Sequence, residues 1–258
     1  MLGAIAGDII GSPYEFNNYR AEDFPLFIEE STFTDDTVLT VALADSILTG
    51  VEYTQKIKEY YHRYPHMSYG GRFHVWAEQD ESEPYNSYGN GSAMRCSPVG
   101  WAYDTLEEVV KMAERSAMPT HNHPEGIKGA KAVAGSIFLA RTQNSKQAVK
   151  DFVTKDMGYN LDFSLPDLRR DYRFNETCQE TVPQAIFCFM ISPDFEDAIR
   201  KAISIGGDSD TVACITGSIA EAYYGGIPME MKKQILSILD VDLLGVAEEF
   251  YGKYIGPL

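Results

Sequence analysis

Residues 34–48 of this 258-residue chain, TDDTVLTVALADSIL, indicate the class of fold. Apolar side chains recur there with the three- and four-residue spacing of a helix that buries one face, at Val38, Leu39, Ala42, Leu43 and Ile47. The preceding Thr and Asp residues favour a helix N-terminus, because their oxygens accept hydrogen bonds from its free N–H groups. The sequence therefore predicts a helix that opens at this acidic run.

Helical periodicity of the same kind continues along most of the chain, in residues 106–117, 126–141, 178–191, 195–205 and 211–224. Short breaks rich in Gly, Pro, Asn and Ser separate these segments, and no long linker marks a domain boundary. We therefore expect one all-α domain over residues 1–258. Residues 64–91 and 156–177 lack clear periodicity, which predicts surface loops over a site.

The charge balance narrows the classes of partner. The chain has 38 acidic and 22 basic residues, a formal net charge of −16, with 44% hydrophobic residues. This composition is typical of a globular protein. The electric field of so negative a protein repels phosphate backbones and anionic lipids, so general nucleic-acid or membrane-surface binding is not expected. The N-terminal MLGAIAGDII lacks the basic region of a secretory signal, and no apolar run has the roughly 18 residues of a membrane span. These features predict a cytoplasmic protein.

Two further patterns concern packing and thiols. Gly3, Gly7 and Gly11 recur every four residues, so one helix face would lack side chains. We expect close packing of another helix there, the alternative being the approach of a ligand. The four cysteines are widely spaced without a C-x-x-C pair, which predicts reduced, buried thiols rather than a zinc site or a disulfide framework.

Two acidic runs of similar order suggest chemistry. Residues 34–37 are TDDT and residues 206–211 are GGDSDT, and each opens a predicted helix. Capping alone explains one such run, but two runs supply more oxygens than helix caps use. Asp and Thr oxygens suit Mg²⁺ or Mn²⁺, and if the helix starts face each other their carboxylates would hold two ions about 3.5–4 Å apart. An EF-hand is excluded because its required Gly and Glu are missing.

These runs, with three other segments, carry a family resemblance. The segments are GAIAGDIIGSPYEF, FTDDTVLTVALADSIL, YGNGSAMRCSPVGW, THNHPEGIKGAKAVAGSIF and IGGDSDTVACITGSIAEAYYGGIP. In this order, from about Gly3 to Pro228, they resemble the ADP-ribosylglycohydrolase family. The resemblance implies a compact, orthogonal multi-helix bundle with a central metal cleft that holds two Mg²⁺ or Mn²⁺ ions.

The resemblance also implies roles for individual residues. Its metal ligands fall on Thr34, Asp35, Asp36, Asp208, Asp210 and Thr211. Catalytic roles fall on Glu15, Asp35 and Asp208, with Glu15 acting as a base or a gate on a loop after Pro13. Asp8 resembles a structural, hydrogen-bonding aspartate rather than a ligand.

Substrate contacts implied by the resemblance lie in a glycine-rich loop and a histidine, namely Gly89, Asn90, Gly91, Ser92, Met94 and His121. Amide groups of such a loop hold anions without a lysine, and Arg95 would add local positive charge. The H-x-H spacing of His121 and His123, without a third ligand nearby, predicts a pair of surface histidines rather than a zinc site. Pro65 breaks the helix that would bring His62 and His66 together. Many members of the family have an aromatic residue just after the Ile-Pro pair, whereas residues 227–236 here read IPMEMKKQIL. The adenine contact is therefore left open, with Tyr and Phe residues of 64–91 as candidates.

The implied activity is metal-dependent hydrolysis that releases ADP-ribose from a modified protein side chain or a small ADP-ribose conjugate. Two alternatives remain from the residues. One is a two-metal phosphoester or pyrophosphate hydrolase, which needs the same oxygen ligands. The other is a non-catalytic homologue that binds ADP-ribose. The sequence does not encode the acceptor linkage or the choice between Mg²⁺ and Mn²⁺.

Overall fold

The computed structural model describes residues 1–80 and 83–258, and this part of the chain is helical. It contains no named strand, only an isolated antiparallel bridge between Gly89 and Thr177. The predicted all-α fold is confirmed. The helices are α1 (Leu2–Gly11), α2 (Asp35–Thr49), α3 (Tyr53–Arg63), α4 (Gly71–Glu78), α5 (Gly91–Met94), α6 (Ser97–Ala102), α7 (Leu106–Ala117), α8 (Pro124–Gln143), α9 (Lys146–Asp151), α10 (Leu165–Asp171), α11 (Cys178–Ile191), α12 (Phe195–Ser204), α13 (Ser209–Tyr224), α14 (Met229–Ile238) and α15 (Val241–Tyr254).

Helix α13 forms the centre of the molecule. Every residue from 209 to 222 is buried, and helices α1, α8, α11 and α12 pack around it. A helix buried on all sides has no polar face to give to solvent. The acidic residues at its start are therefore held inside the protein rather than at the surface.

The glycine face of α1 packs against α13. A Cβ atom added at Gly3 would lie 2.2 Å from the Gly217 carbonyl oxygen, and one at Gly7 would lie 2.0 Å from the Ala213 carbonyl oxygen. A Cβ at Gly11 would lie 2.5 Å from the Cα of Asp210. The three glycines thus allow backbone-to-backbone packing, as predicted, and the last of them fixes α1 beside the start of α13.

On another side of α1, Asp8 holds the start of α2. Its Oδ2 accepts hydrogen bonds from the backbone N–H of Thr34, at 2.9 Å, and of Thr37, at 3.1 Å. The hydroxyls of the same two threonines also donate to the Asp8 carboxylate. Asp8 is fully buried and has the structural role expected from the sequence. One short helix therefore positions the beginnings of both α2 and α13.

The two segments predicted to be loops each contain a helix, so that part of the prediction was wrong. Helix α4 buries Phe73, Trp76 and Ala77, and α10 is capped by the Ser164 hydroxyl and buries Leu168. These helices have 8 and 7 residues. Periodicity needs a window of about 11 residues or more to stand out, so helices this short leave no clear pattern.

Other expectations can be compared directly with the structure. All four cysteines are free and buried, as predicted. Helix α3 ends at Arg63, which leaves His66 outside the helix that carries His62. Among the described residues, no helix combines the length and apolar character that crossing a bilayer requires.

Candidate metal centre

The starts of α2 and α13 meet in space, as the two acidic runs predicted. The Thr211 hydroxyl donates to Asp36 Oδ1 at 3.3 Å, across a separation of 175 positions in the sequence. Asp36, Asp208, Asp210 and Thr211 are all buried, and Asp35 is half-buried. Four carboxylates from two distant segments therefore share one region.

Glu15 joins this cluster from the loop after α1. One carboxylate oxygen from each of Glu15, Asp208 and Asp210 lies within 4.8 Å of the others. The Ser12–Tyr14 turn of 3₁₀-helix, which contains Pro13, carries the chain from α1 to Glu15. The sequence placed Glu15 on a loop that reaches the cleft, and the structure agrees.

The electrostatics of the cluster favour a bound cation. Burial, followed by the charge of Asp8, raises the pKa of Asp36 well above its ordinary value. Burial also raises the pKa of Asp35 to about 8, with further contributions from Asp8 and Asp208. The pKa of Asp210 rises strongly through burial and the charge of Asp208. Ionised carboxylates this close repel one another unless something positive lies between them.

One unsatisfied oxygen atom supports the same conclusion. Asp36 Oδ2 is buried and has no hydrogen-bond partner among the described residues. Buried carboxylate oxygens normally have partners. Hard oxygen donors in this number are the ligands that Mg²⁺ and Mn²⁺ prefer. Glu15, Asp208 and Asp210 thus form a group that could hold a divalent cation, and Asp35, Asp36 and Thr211 line the same cavity.

Asn90 orients one of the carboxylates. Its amide Nδ2 donates to Asp208 Oδ2 at 2.6 Å and to Thr181 Oγ1 at 3.1 Å. The outer hydrogen-bond partners of a metal ligand fix the direction of its lone pairs. Asn90 also lines the cavity, so its predicted place near a substrate is compatible with this second contact.

Arg20 fastens the loop that bears Glu15 to the segment that bears Asp208. Its guanidinium donates to the carbonyl oxygens of Arg169, Tyr172 and Ile205 at 2.6–2.7 Å, and to Asn18 Oδ1 at 2.8 Å. Asn18 Oδ1 also accepts from the backbone N–H of Gly207. The sequence analysis missed Arg20, because its partners are backbone carbonyl groups, which every residue has and which therefore leave no pattern in the sequence.

The two glycines before Asp208 allow this arrangement. Gly206 and Gly207 have φ of 70° and 77°, in the left-handed region that favours glycine. A Cβ at Gly206 would lie 2.4 Å from Asn18 Oδ1 and 2.9 Å from the Arg20 Cζ. The glycines are needed both for the turn and for contact with the Arg20 guanidinium.

A cavity of about 270 Å³ opens beside the acidic cluster. The acidic residues that line it are Glu15, Asp35, Asp36, Asp208 and Asp210, with Glu176 added by the structure. The predicted substrate residues Gly89, Asn90, Gly91, Met94 and His121 also line it. Ser92 does not line the cavity, because its hydroxyl is fully buried and donates to the Gly126 carbonyl at 2.7 Å.

The structure also gives the setting of three other residues that the sequence analysis named. His121 is only 4% exposed, so the expectation of a surface histidine pair was wrong for this residue. His123 caps α8 by accepting from the Glu125 N–H. The Thr34 hydroxyl donates to Asp8 Oδ1 at 2.7 Å and does not line the cavity, so its role as a metal ligand stays a prediction.

A second group of cavity residues, here termed the cationic end, is cationic and aromatic. It consists of Arg72, Tyr85, Arg95 and His121, and the Arg72 guanidinium lies 4.9 Å from the centre of the Tyr85 ring. Arg95 is fully buried, and its Nε and Nη1 have no hydrogen-bond partner among the described residues. A buried, incompletely paired cation attracts an anionic ligand.

Comparison with known proteins identifies the family. A family model described as ADP-ribosylglycohydrolase matches residues 1–257. The chain belongs to the ADP-ribosylglycohydrolase family. The resemblance carried by the five motifs is thereby confirmed.

Family relatives cover most of the chain. ADP-ribosylhydrolase ARH3 of Danio rerio is 27% identical to this chain in an alignment of 342 residues. The alignment covers 100% of this chain and 90% of the relative. The Homo sapiens ARH3 is 29% identical over 307 residues, with 87% of this chain and 84% of the relative covered. A solved structure titled "ADP-ribosylglycohydrolase-related protein complex" aligns with a TM-score of 0.72 and 24% identity, covering 97% of this chain and 95% of that one. It shares the fold.

Proposed function

We propose that this ADP-ribosylglycohydrolase family member hydrolyses the glycosidic bond between ADP-ribose and an acceptor, with two Mg²⁺ or Mn²⁺ ions as cofactors. One observation carries the proposal: a buried carboxylate cluster and a buried, incompletely paired guanidinium line the same cavity. A ligand that fills the cavity would carry oxygen groups for metal ions and an anionic group for the cationic end. ADP-ribose has both.

The acidic cluster supplies the site of bond cleavage. Asp35, Asp36, Asp208, Asp210 and Thr211 would hold the ions. Bound divalent ions polarise ribose hydroxyls and a water molecule, which makes the water a better nucleophile at neutral pH. The chain itself holds the carboxylates in place, through the Asn90 amide on Asp208 and through Asp8 on the start of α2.

Glu15 is the residue best suited to move a proton. Without bound ions, burial and the charge of Asp208 raise its pKa to about 7, and burial, the larger cause, does not depend on the charge of Asp208. A general acid or base works best when its pKa is near the working pH. Glu15 is half-buried at the cavity wall, so it would take the proton of an attacking water while the bond at the anomeric carbon breaks.

The cationic end would hold the nucleotide. The Arg95 charge attracts a diphosphate without a surface lysine, which offsets the net charge of −16. Tyr85 lies in the segment where an aromatic contact to the base was predicted, and its ring centre is 6.2 Å from that of His121. We propose that Tyr85 stacks on the adenine, because aromatic rings bind nucleobase faces.

The test is a panel of substrates in which ADP-ribose is linked to arginine, serine or acetate, assayed with Mg²⁺ or Mn²⁺. Release of intact ADP-ribose supports the proposal, and the preferred substrate identifies the acceptor. AMP and ribose phosphate as products would instead indicate a phosphoester or pyrophosphate hydrolase. Tight ADP-ribose binding without turnover on any substrate would indicate a non-catalytic binding protein.

A further inference from the structure

Three buried side chains form a line of hydrogen bonds that ends at the cavity. Arg95 Nη2 donates to Thr120 Oγ1 at 2.8 Å and to the Ser116 carbonyl at 3.1 Å. Thr120 Oγ1 lies 2.7 Å from His121 Nδ1. Arg95 and Thr120 are fully buried, and His121 is nearly so. Water therefore does not compete for these bonds.

The donors in this line determine where the proton of the histidine lies. A guanidinium only donates, so Thr120 must accept from Arg95. The single hydroxyl proton of Thr120 then finds an acceptor at His121 Nδ1. If Nδ1 carried a proton instead, the Thr120 proton would be left buried without an acceptor, which is costly.

We propose that Arg95 and Thr120 hold His121 as the neutral tautomer with its proton on Nε2, so that His121 presents a fixed, uncharged hydrogen-bond donor to the cavity. Thr120 is then a positioning residue that acts through His121. The nearest cationic groups are Arg95 and Arg72. Together with burial, they hold the pKa of His121 well below its usual value.

The protonated nitrogen has space in front of it because two glycines face it. A Cβ added at Gly89 would lie 3.5 Å from His121 Nε2, and one added at Gly91 would lie 3.3 Å from the same atom. A side chain at either position would cover this nitrogen. The glycine pair of the loop therefore keeps the Nε2 donor open to a ligand.

The consequence for substrate rests on the proposed function. An Nε2–H donor matches an oxygen acceptor, so His121 would bind a phosphate or ribose oxygen of ADP-ribose without titrating in neutral solution. An aspartate or an imidazolium there would instead change its charge or its affinity with pH. The hydrogen bonds from Arg95 through Thr120 to His121 thus give the cavity a donor that is protonated before the ligand binds.

The tautomer is measured directly in the ligand-free protein. Two-bond ¹H–¹⁵N correlation spectra distinguish protonated from unprotonated imidazole nitrogens. We expect His121 to show an unprotonated Nδ1 and a protonated Nε2 at neutral pH. Thr120→Val removes the hydroxyl at nearly constant volume and is expected to give a mixture that includes the Nδ1–H form. Thr120→Ser keeps the hydroxyl and should retain the original pattern.

Binding gives the second readout. Thr120→Val is expected to weaken ADP-ribose binding about tenfold, the loss expected for about one hydrogen bond, and Thr120→Ser should restore it. Thr216→Val is the matched control, because the Thr216 hydroxyl in α13 is equally buried and donates to the Ala185 carbonyl of α11. It should change stability without changing the His121 signals.

The outcomes separate this inference from the proposed function. An Nδ1–H or imidazolium pattern in the unmodified protein at neutral pH would overturn the inference, as would His121 signals that Thr120→Val leaves unchanged. If the tautomer is as expected and ADP-ribose does not bind, the proposed function fails and the assignment of the His121 proton stands.

Discussion

The Thr211 hydroxyl lies 3.3 Å from Asp36 Oδ1, although 175 positions separate the two residues in the chain. Neither α2 nor α13 brings this about alone. Helix α1 lies between their starts: Asp8 binds the first residues of α2, and Gly11 touches Asp210 at the beginning of α13. The acidic cluster is thus built on three helices, and its geometry depends on the packing of α1.

Replacing a carboxylate at this meeting point is expected to remove the metal ions. We expect Asp36→Asn and Asp208→Asn each to weaken Mg²⁺ or Mn²⁺ binding by at least about 100-fold, since even outer partners of metal ligands cost up to that factor. ADP-ribose release should fall in parallel. Bound metal is measured by elemental analysis after equilibrium dialysis. The control is Asp104→Asn, which makes the same change of charge at an exposed residue. Unchanged metal content in Asp208→Asn would contradict the assignment.

The empty and loaded proteins should differ in how their stability depends on pH. The cluster carboxylates have raised pKa values in the folded state, about 8 for Asp35, so between about pH 4 and pH 8 the folded protein holds more protons than the unfolded chain. Raising the pH through this window then destabilises the fold, by at most about 1.4 kcal/mol per pH unit for each proton held. In EDTA we expect the melting temperature to fall as the pH rises from about 6 to about 8. Mg²⁺ should reduce or remove that fall, and equal slopes with and without Mg²⁺ would contradict the prediction.

Much of this site could be predicted from the sequence, because its signals are local. The TDDT and GGDSDT runs contain the clustered oxygens, and the glycine spacing of α1 indicates a helix contact. Burial of His121 could not be predicted, since it depends on how the loop at Gly91 and helix α8 close around it. Arg20 was missed for a related reason: its partners are backbone carbonyls at helix ends, which every residue type supplies.

Closing the glycine face of α1 should destabilise the protein. A methyl group at Gly7 would lie 2.0 Å from the Ala213 carbonyl, so Gly7→Ala must push α1 away from α13. We expect a loss of about 1–3 kcal/mol or more in the free energy of unfolding, as for other overpacked cores. Gly245→Ala in α15 is the matched control, because a Cβ there meets no atom of the described residues within 4 Å. That substitution should be neutral or stabilising by up to about 1 kcal/mol. Urea unfolding curves measure both, and equal effects would contradict the packing described.

Removing the Arg20 guanidinium should loosen the loop of Glu15 and the turn before Asp208 together. Arg20→Ala leaves several carbonyl groups without their donor, and we expect a loss of about 2–3 kcal/mol in stability. Metal affinity should fall as well, because the Gly206–Gly207 turn rests on this side chain. Arg63→Ala, which breaks an exposed pair with Glu59, serves as the control. Calorimetric titration with Mn²⁺ measures the affinity, and full affinity in a folded Arg20→Ala protein would show that the turn holds its shape without Arg20.

The aromatic wall of the cavity predicts a separation between binding and chemistry. Tyr85 lines the cavity beside Arg72 and His121 and is not one of the clustered carboxylates, so Tyr85→Ala should weaken ADP-ribose binding while leaving kcat nearly unchanged. Stacking on a base contributes about 1–3 kcal/mol, which corresponds to a loss of about 5- to 150-fold in affinity. Tyr85→Phe keeps the ring and should bind almost normally. Tyr88→Ala is the control, because this exposed tyrosine lies three positions away in the same loop and does not line the cavity. A lost stacking contact weakens ground-state and transition-state binding alike. A fall in kcat with unchanged KM for Tyr85→Ala would therefore show that the adenine does not stack on Tyr85.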